Sequence, residues 1–267
     1  MVFKISAGFL VGVLVLLAGS LYMAERYLDE QQRLATAGDF EGAMERVQLA
    51  ARLDPFSPEP LQEKSLLLQR LGRNKEAEST LRAAIRRSPH DYTSYSLLAQ
   101  LQASRLNDYA AAEETYRKLL EINPNATEAT ASLAQVLLRQ GDLEGAKRQY
   151  EKLREMEKIS ARDLYDLGRV YVRTGEPGKG VQTLLATKRR ASTGLGNLKN
   201  ASEWEQRMEF IESINLAIAD ALVVQRRYAE AREIVAWSSS EQAPAILALL
   251  DSDPEMYRDS VLNSEIY

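Results

Sequence analysis

The feature that most constrains the fold of this chain is a turn residue that recurs at a nearly constant interval. Gly38 and Gly72 lie 34 residues apart, as do Gly141 and Gly175, and Asn107 stands at the intermediate position. A period of this length is typical of repeat arrays in which each repeat is one supersecondary unit. Glycine and asparagine tolerate the left-handed backbone that a tight turn between two helices requires.

Small residues also recur on both sides of each turn. Two helices can approach closely only where their facing side chains are small, and larger apolar residues at helical spacing surround these positions. The pattern predicts antiparallel helix pairs, with one small column in the second helices and one in the first helices. The columns are Ala43, Ala77, Ala112, Ala146, Gly180 and Ala231, and Ser65, Ala99, Ala134, Gly168 and Ala219.

The segment Leu164–Tyr171, with the following Thr174, Gly175 and Gly180, resembles the tetratricopeptide repeat family. The resemblance covers about residues 24–238, with five good repeats and a divergent sixth. It implies an all-α fold, a right-handed α-solenoid of helix-turn-helix repeats, in which the first helices line a concave groove.

An uncharged stretch of 20 residues, Ile5–Ala24, precedes the repeats. A helix of that length spans roughly 30 Å, the thickness of a bilayer core, so we predict one transmembrane helix and a single-pass, membrane-anchored bacterial type of repeat protein. A cleaved signal peptide is the alternative, with residues 18–20 as its cleavage site. Lys4 and the short N-terminal tail favour an extracytoplasmic repeat domain, whereas Arg26 and Arg33 argue against it.

Gly8 and Gly12 in this segment form a Gly-x-x-x-Gly pair, which lets a second transmembrane helix approach closely. Glycine is also simply common in such helices. The predicted domains are a transmembrane anchor at 1–24, a solenoid at 25–238 with a basic loop at 188–201, and a C-terminal capping helix and acidic tail at 239–267.

Composition and motifs argue against several other functions. The formal net charge is -4, so a nucleic-acid partner is not expected. Cysteine is absent and His90 is the single histidine, so we predict no metal site and no cofactor. The segment Gly175–Gly180 is too short for a phosphate loop and lacks a Ser or Thr after its lysine. No acid–base pair is identifiable, and we predict no enzyme and no small-molecule substrate.

The repeat register places a polar and basic set on the inward side of the first helices, here called the first-helix strip. Guanidinium groups hold carboxylates in bidentate fashion, so an acidic peptide segment is the predicted ligand. The alternative is an ordinary solvated face. The strip comprises Gln62, Gln69, Arg70, Gln100, Gln135, Arg139, Arg162, Tyr165, Arg169 and Arg173.

These features predict a membrane-tethered adaptor or scaffold whose partners are other proteins, of the membrane or the envelope. The alternative is a fixed accessory subunit of a larger membrane complex, held by its transmembrane helix.

Overall fold

The structure is a computed structural model, which describes residues 7–197, 200–264 and 266. This described part contains fourteen α-helices and one 3-10 turn, without any strand. The predicted all-α fold class is therefore confirmed. The chain forms two compact units, residues 1–125 and residues 126–267.

The first unit consists of helices in which each packs against the next one along the chain. The connections are short, and short connections make neighbouring helices antiparallel. Its helices are α1 (Ala7–Thr36), α2 (Phe40–Leu53), α3 (Glu59–Arg70), α4 (Asn74–Arg87), α5 (Tyr92–Ser104) and α6 (Tyr109–Ile122).

The second unit begins with the same arrangement and ends differently. After three helix pairs, two further helices pack on the pairs before them. Its helices are α7 (Thr127–Arg139), α8 (Leu143–Glu155), α9 (Ala161–Arg173), α10 (Pro177–Ser192), α11 (Ala201–Val224), α12 (Tyr228–Ala236), α13 (Ala243–Ser252) and α14 (Pro254–Asn263), with the 3-10 turn at Leu195–Asn197.

The two small-residue columns lie where paired helices touch. In the second helices, Ala43, Ala77 and Ala231 are completely buried, and Ala99 and Ala134 are completely buried in the first helices. Larger buried side chains such as those of Leu and Tyr fill the space around these contacts. Helix-on-helix packing therefore explains why the sequence repeats small residues at these positions.

The turns within the pairs adopt the predicted left-handed backbone. The φ angle is +85° at Gly38 and +79° at Gly141, and Asn107 accepts the same conformation with a φ angle of +53°. In the sixth pair Arg226 takes this place with a φ angle of +61°. Aspartate side chains cap the helices that follow several turns, for example Asp142, which accepts a hydrogen bond from the backbone of Gly145.

Helix α1 is a single uninterrupted helix of 30 residues. Its N-terminal half is apolar and exposed, whereas Ala35 near its C-terminal end packs in a core with Ala43 and Val47 of α2. The segment Leu10–Thr36 is long and apolar enough to cross a membrane. By length and composition it fits either an anchor or a signal sequence.

Two segments differ from the expected secondary structure. Helix α10 continues to Ser192, so Lys188, Arg189 and Arg190 belong to its last turns and not to a loop. Basic residues are favourable at the C-terminal end of a helix, and Arg190 also donates a hydrogen bond of 2.9 Å to the carbonyl oxygen of Ile159. The second segment is the acidic tail, for which no helix was predicted and which contains helix α14.

Candidate functional site

The first-helix strip is divided between the two units. In the first unit, Gln62 lies on α3, and its Nε2 donates to Asp91 Oδ2 at 2.6 Å and to Ser94 Oγ at 2.8 Å. Asp91 caps the N-terminus of α5. The Gln62 amide thus connects the first helices of successive repeats, and its donor atoms are already used within the protein.

The other predicted residues of the first unit are less engaged. Gln69 and Gln100 each make only a long contact of 3.4 Å with a serine one turn earlier, Ser65 and Ser96 respectively. Arg70 lies at the edge of a cleft between α1 and α3.

That cleft has a volume of about 360 Å³, and acids outnumber bases among its charged lining residues. Asp29, Glu59 and Glu63 line it together with Arg70. Burial raises the pKa of the Glu63 carboxyl above its ordinary value, the charge of Glu59 raises it further, and Arg70 opposes the rise. These carboxylates are not part of the predicted strip; their one signal in the sequence is the four-residue spacing of Glu59 and Glu63.

In the second unit, the residues of α9 form a compact cluster around an aromatic ring. The Tyr165 ring is 9% exposed and packs edge-on against Phe210 of α11, with 5.6 Å between the ring centroids. The guanidinium carbons of Arg162 and Arg169 lie 5.5 Å and 5.3 Å from the centroid of the Tyr165 ring. These residues are three positions before and four positions after Tyr165, which is the spacing that places side chains on one helix face.

Because its ring is mostly buried, Tyr165 acts as a platform for the two arginines. Burial raises the pKa of its hydroxyl, an effect that the neighbouring Arg169 opposes. A cation over an aromatic face within about 6 Å is attracted to it, so the ring restricts where both guanidinium groups can lie. Gln135 and Arg139 lie on the exposed face of α7.

Arg173 is hydrogen-bonded to the C-terminal segment of the chain. Its Nε donates to the carbonyl oxygen of Ser264 at 3.1 Å, and its Nη2 donates to Ser264 Oγ at 2.8 Å. Its Nη1 also reaches the carbonyl oxygen of Arg169. Burial lowers the pKa of Arg173, and the charge of Arg169 lowers it further.

A half-buried carboxylate, Asp220 of α11, lies near these arginines. The hydroxyl of Tyr257 in α14 donates to its Oδ1 at 2.6 Å. Burial raises the pKa of the Asp220 carboxyl, although the hydrogen bond from Tyr257 and the charges of Arg173 and Arg169 oppose the rise. Asp220 could not be predicted from the repeat pattern, because its partner Tyr257 lies outside that pattern.

In the N-terminal helix, Gly8 and Gly12 lie four residues apart on α1. A Cβ atom added at Gly12 would meet nothing within 4 Å, so the chain itself leaves this surface uncovered. Within residues 7–197, 200–264 and 266, no group of three His, Cys, Asp or Glu side chains is placed to hold a metal ion.

Comparison with known families identifies the repeat. Two family models, both described as tetratricopeptide repeat, match residues 63–127 and residues 104–162. Residues 63–162 therefore consist of tetratricopeptide repeats. Proteins built from this repeat mediate interactions between proteins.

Solved structures of tetratricopeptide repeat proteins share the fold. A MamA protein is 19% identical with a TM-score of 0.57, covering 67% of this chain and 97% of its own. A tetratricopeptide repeat protein from Parabacteroides merdae is 16% identical with a TM-score of 0.56, covering 86% and 100%. YrrB, described as having an unusual peptide-binding site, is 20% identical with a TM-score of 0.51, covering 60% and 82%.

At these identities the similarity concerns the fold alone. No curated protein sequence matches the chain.

Proposed function

We propose that this tetratricopeptide repeat protein is a membrane-tethered adaptor that binds an acidic segment of a partner protein through its first-helix strip. The observation that carries the proposal is the pair of guanidinium groups, those of Arg162 and Arg169, held over the single ring of Tyr165. Positioned guanidinium groups lose little freedom when they pair with carboxylates, which favours an acidic ligand.

The repeat family supports the partner-binding part of this proposal. Tetratricopeptide repeats bind proteins, and the similar fold of YrrB carries a peptide-binding site according to its description. We assign the chain no catalytic activity, because the strip contains arginines, glutamines and a buried tyrosine but no paired general acid and base.

The N-terminal helix supports the membrane-tethered part. Large apolar side chains of α1, including Leu14, Val15 and Leu16, are more than half exposed. An apolar helix surface of this length is stable in a bilayer and costly in water. The repeat helices follow α1 without a flexible linker, so the partner would be held close to the membrane surface.

The binding experiment measures how a fluorescent glutamate-rich peptide binds to the full chain in detergent micelles. In the Arg162→Ala/Arg169→Ala variant two charge pairs are lost, each worth about 0.5–1 kcal/mol at exposed positions. We therefore expect binding to weaken by roughly five- to thirty-fold. The matched control is Arg148→Ala/Arg189→Ala, which removes two exposed arginines from second helices of the same unit.

Equal loss in both double variants would mean that net charge, and not the strip, governs binding. A lysine-rich peptide of the same length serves as the ligand control and is expected not to bind the strip. Binding of both peptides with equal affinity would contradict the proposal.

Membrane attachment is tested separately, by extraction of membranes with alkaline carbonate. A retained anchor keeps the protein in the pellet, whereas a cleaved signal sequence releases a shorter chain into the supernatant. Protease added to intact cells then tests the side of the membrane: digestion of the repeats supports an extracytoplasmic repeat domain.

The four-residue spacing of Gly8 and Gly12, together with the uncovered surface at Gly12, supports a second candidate function, a fixed subunit of a membrane complex. Here the Gly8→Leu/Gly12→Leu variant would disrupt co-purification with the complex, whereas the Arg162→Ala/Arg169→Ala variant would not. Gly19→Leu is the matched control, because Gly19 lies in the same helix, outside the pair. The adaptor function predicts the opposite pattern.

A further inference from the structure

The C-terminal helix α14 lies on the first helices of the fifth and sixth repeats. Helix α13 packs on α12, the last second helix, and so already covers the end of the repeats. Helix α14 instead packs on α11 and reaches back to α9. Capping the array does not require this position, since terminal repeats need only their outer face covered.

Polar contacts hold α14 at three points along its length. At its beginning, Glu255 accepts a hydrogen bond of 2.7 Å from the Tyr228 hydroxyl. In the middle, the Tyr257 hydroxyl donates to Asp220. At its end, Ser264 accepts two hydrogen bonds from Arg173. The contacts therefore fix both the direction and the register of the helix.

The apolar contribution to this contact is small. Tyr257, Val261 and Ile266 are the buried side chains from Pro254 to the C-terminus among the residues described. Helices shorter than about 12 residues are marginal in water on their own, and α14 has 10 residues. Segments with few buried apolar contacts open at a small free-energy cost, well below that of global unfolding.

The position of α14 overlaps the first-helix strip. Arg173 is both a predicted ligand-binding residue and the main contact of the C-terminal segment. Its neighbour Arg169 lies one turn earlier on α9 and contacts the Tyr165 ring. A partner segment that binds these arginines would compete with Ser264 for the guanidinium group of Arg173.

We propose that α14 is an intramolecular ligand of the second unit, which occupies the Arg173 end of the first-helix strip and is displaced by an external helical segment of the same chemistry. This inference rests on the proposed function. The displacing segment carries an aromatic hydroxyl that reaches Asp220 and, about two turns later, an oxygen acceptor for Arg173. The free energy of partner binding therefore has to exceed the free energy needed to detach α14 from its site.

The test uses a labelled synthetic peptide of residues 253–267 as the probe and the full chain in detergent micelles as the receptor. In the Tyr257→Ala/Val261→Ala variant the resident helix loses its two buried side chains and opens, so its site becomes available. Apparent affinity scales with the fraction of open sites, and we expect the peptide to bind this variant on the order of tenfold more tightly than the parent chain.

Two further variants separate release of the helix from general damage. Met256→Ala truncates an exposed apolar residue of the same helix and is expected to leave peptide binding as in the parent chain. Tyr257→Phe removes only the hydroxyl and keeps the packing, and is expected to give an intermediate affinity. Hydrogen exchange of the α14 amides should be as slow in Met256→Ala as in the parent chain, faster in Tyr257→Phe and fastest in the double variant. The amides of α9 and α10 should remain protected in all of them.

The inference is overturned if the peptide binds the double variant and the parent chain equally, or binds neither while α14 exchanges rapidly in the double variant. A scrambled peptide of the same composition that binds equally well would overturn it too. If the 253–267 peptide binds the double variant but the glutamate-rich peptide binds nothing, the acidic-partner function fails and the intramolecular ligand stands. If instead the glutamate-rich peptide binds but the 253–267 peptide does not bind the double variant, the inference about α14 is wrong and the acidic-partner function stands.

Discussion

The contact between α9 and α10 yields a quantitative prediction for Gly180→Ala. A Cβ atom at Gly180 would lie 2.7 Å from Val172 Cγ2 and 3.0 Å from the carbonyl oxygen of Gly168. Real Cβ atoms essentially never approach a carbon so closely, and the carbonyl oxygen is backbone that cannot rotate away. The variant must therefore separate the two helices.

The magnitude follows from two opposing effects. Overpacking of this kind costs about 1–3 kcal/mol, and replacing glycine by alanine in a helix returns about 0.5–1 kcal/mol. Gly178→Ala is the matched control, because Gly178 lies two residues earlier in α10 and an added Cβ there meets nothing within 4 Å. The difference between the variants should be about 1–3 kcal/mol, since the helix-propensity gain occurs in both.

Hydrogen exchange of the full chain in detergent micelles measures this difference locally. For amides that exchange by opening of the α9–α10 pair, the Gly180→Ala variant should exchange roughly 5- to 150-fold faster than the Gly178→Ala variant. Amides of the first unit should be unchanged, because stability in repeat proteins is a sum of local terms. Equal protection of α9 and α10 in both variants would refute the argument that the small columns are required for helix contact.

Three further predictions concern other parts of the chain. Gly141→Ala places a side chain at a φ angle of +79° and should cost about 1–2 kcal/mol in urea unfolding, whereas Asn107→Gly should cost little. The raised pKa of Asp220 means that its neutral form stabilises the fold below the ordinary value of 3.8, and that this stabilisation is lost as the pH rises through the folded-state pKa. The parent chain should thus lose stability relative to Asp220→Asn over that interval in thermal unfolding. Removing residues 1–24 should give a chain that stays in the supernatant after centrifugation and keeps its helical circular dichroism; aggregation of that chain would contradict the anchor model.

The sequence predicts the helix pairs well because their contacts repeat. Each small column records the same physical requirement several times, so a single departure such as Asn107 does not hide it. The same reasoning applies to the cluster on α9, where Arg162, Tyr165 and Arg169 have helical spacing. Their side chains share a face for purely local reasons.

Contacts outside the repeat are much harder to predict. The partner of Arg173 is Ser264, 91 residues later in the chain, and nothing in the spacing of the repeats connects them. Asp220 was missed for the same reason, since its partner Tyr257 lies in the C-terminal tail. The Gln62 contact with Asp91 is intermediate: the register places Gln62 on a first helix and Asp91 in the turn before the next one, but the hydrogen bond depends on side-chain geometry.

The charges found in each unit restrict where an acidic partner is expected to bind. In the first unit the carboxylates of Asp29, Glu59 and Glu63 share a cleft with Arg70, and the raised pKa of Glu63 reflects burial and crowding of like charge. A further carboxylate brought to Arg70 would meet the same repulsion. In the second unit, Arg162, Arg169 and Arg173 outnumber the two carboxylates beside them. Of these, Asp166 Oδ2 lies 4.0 Å from Arg162 Nε, and Asp220 already accepts a hydrogen bond from Tyr257. An acidic segment should therefore bind the second unit, where it would compete with the chain's own C-terminus.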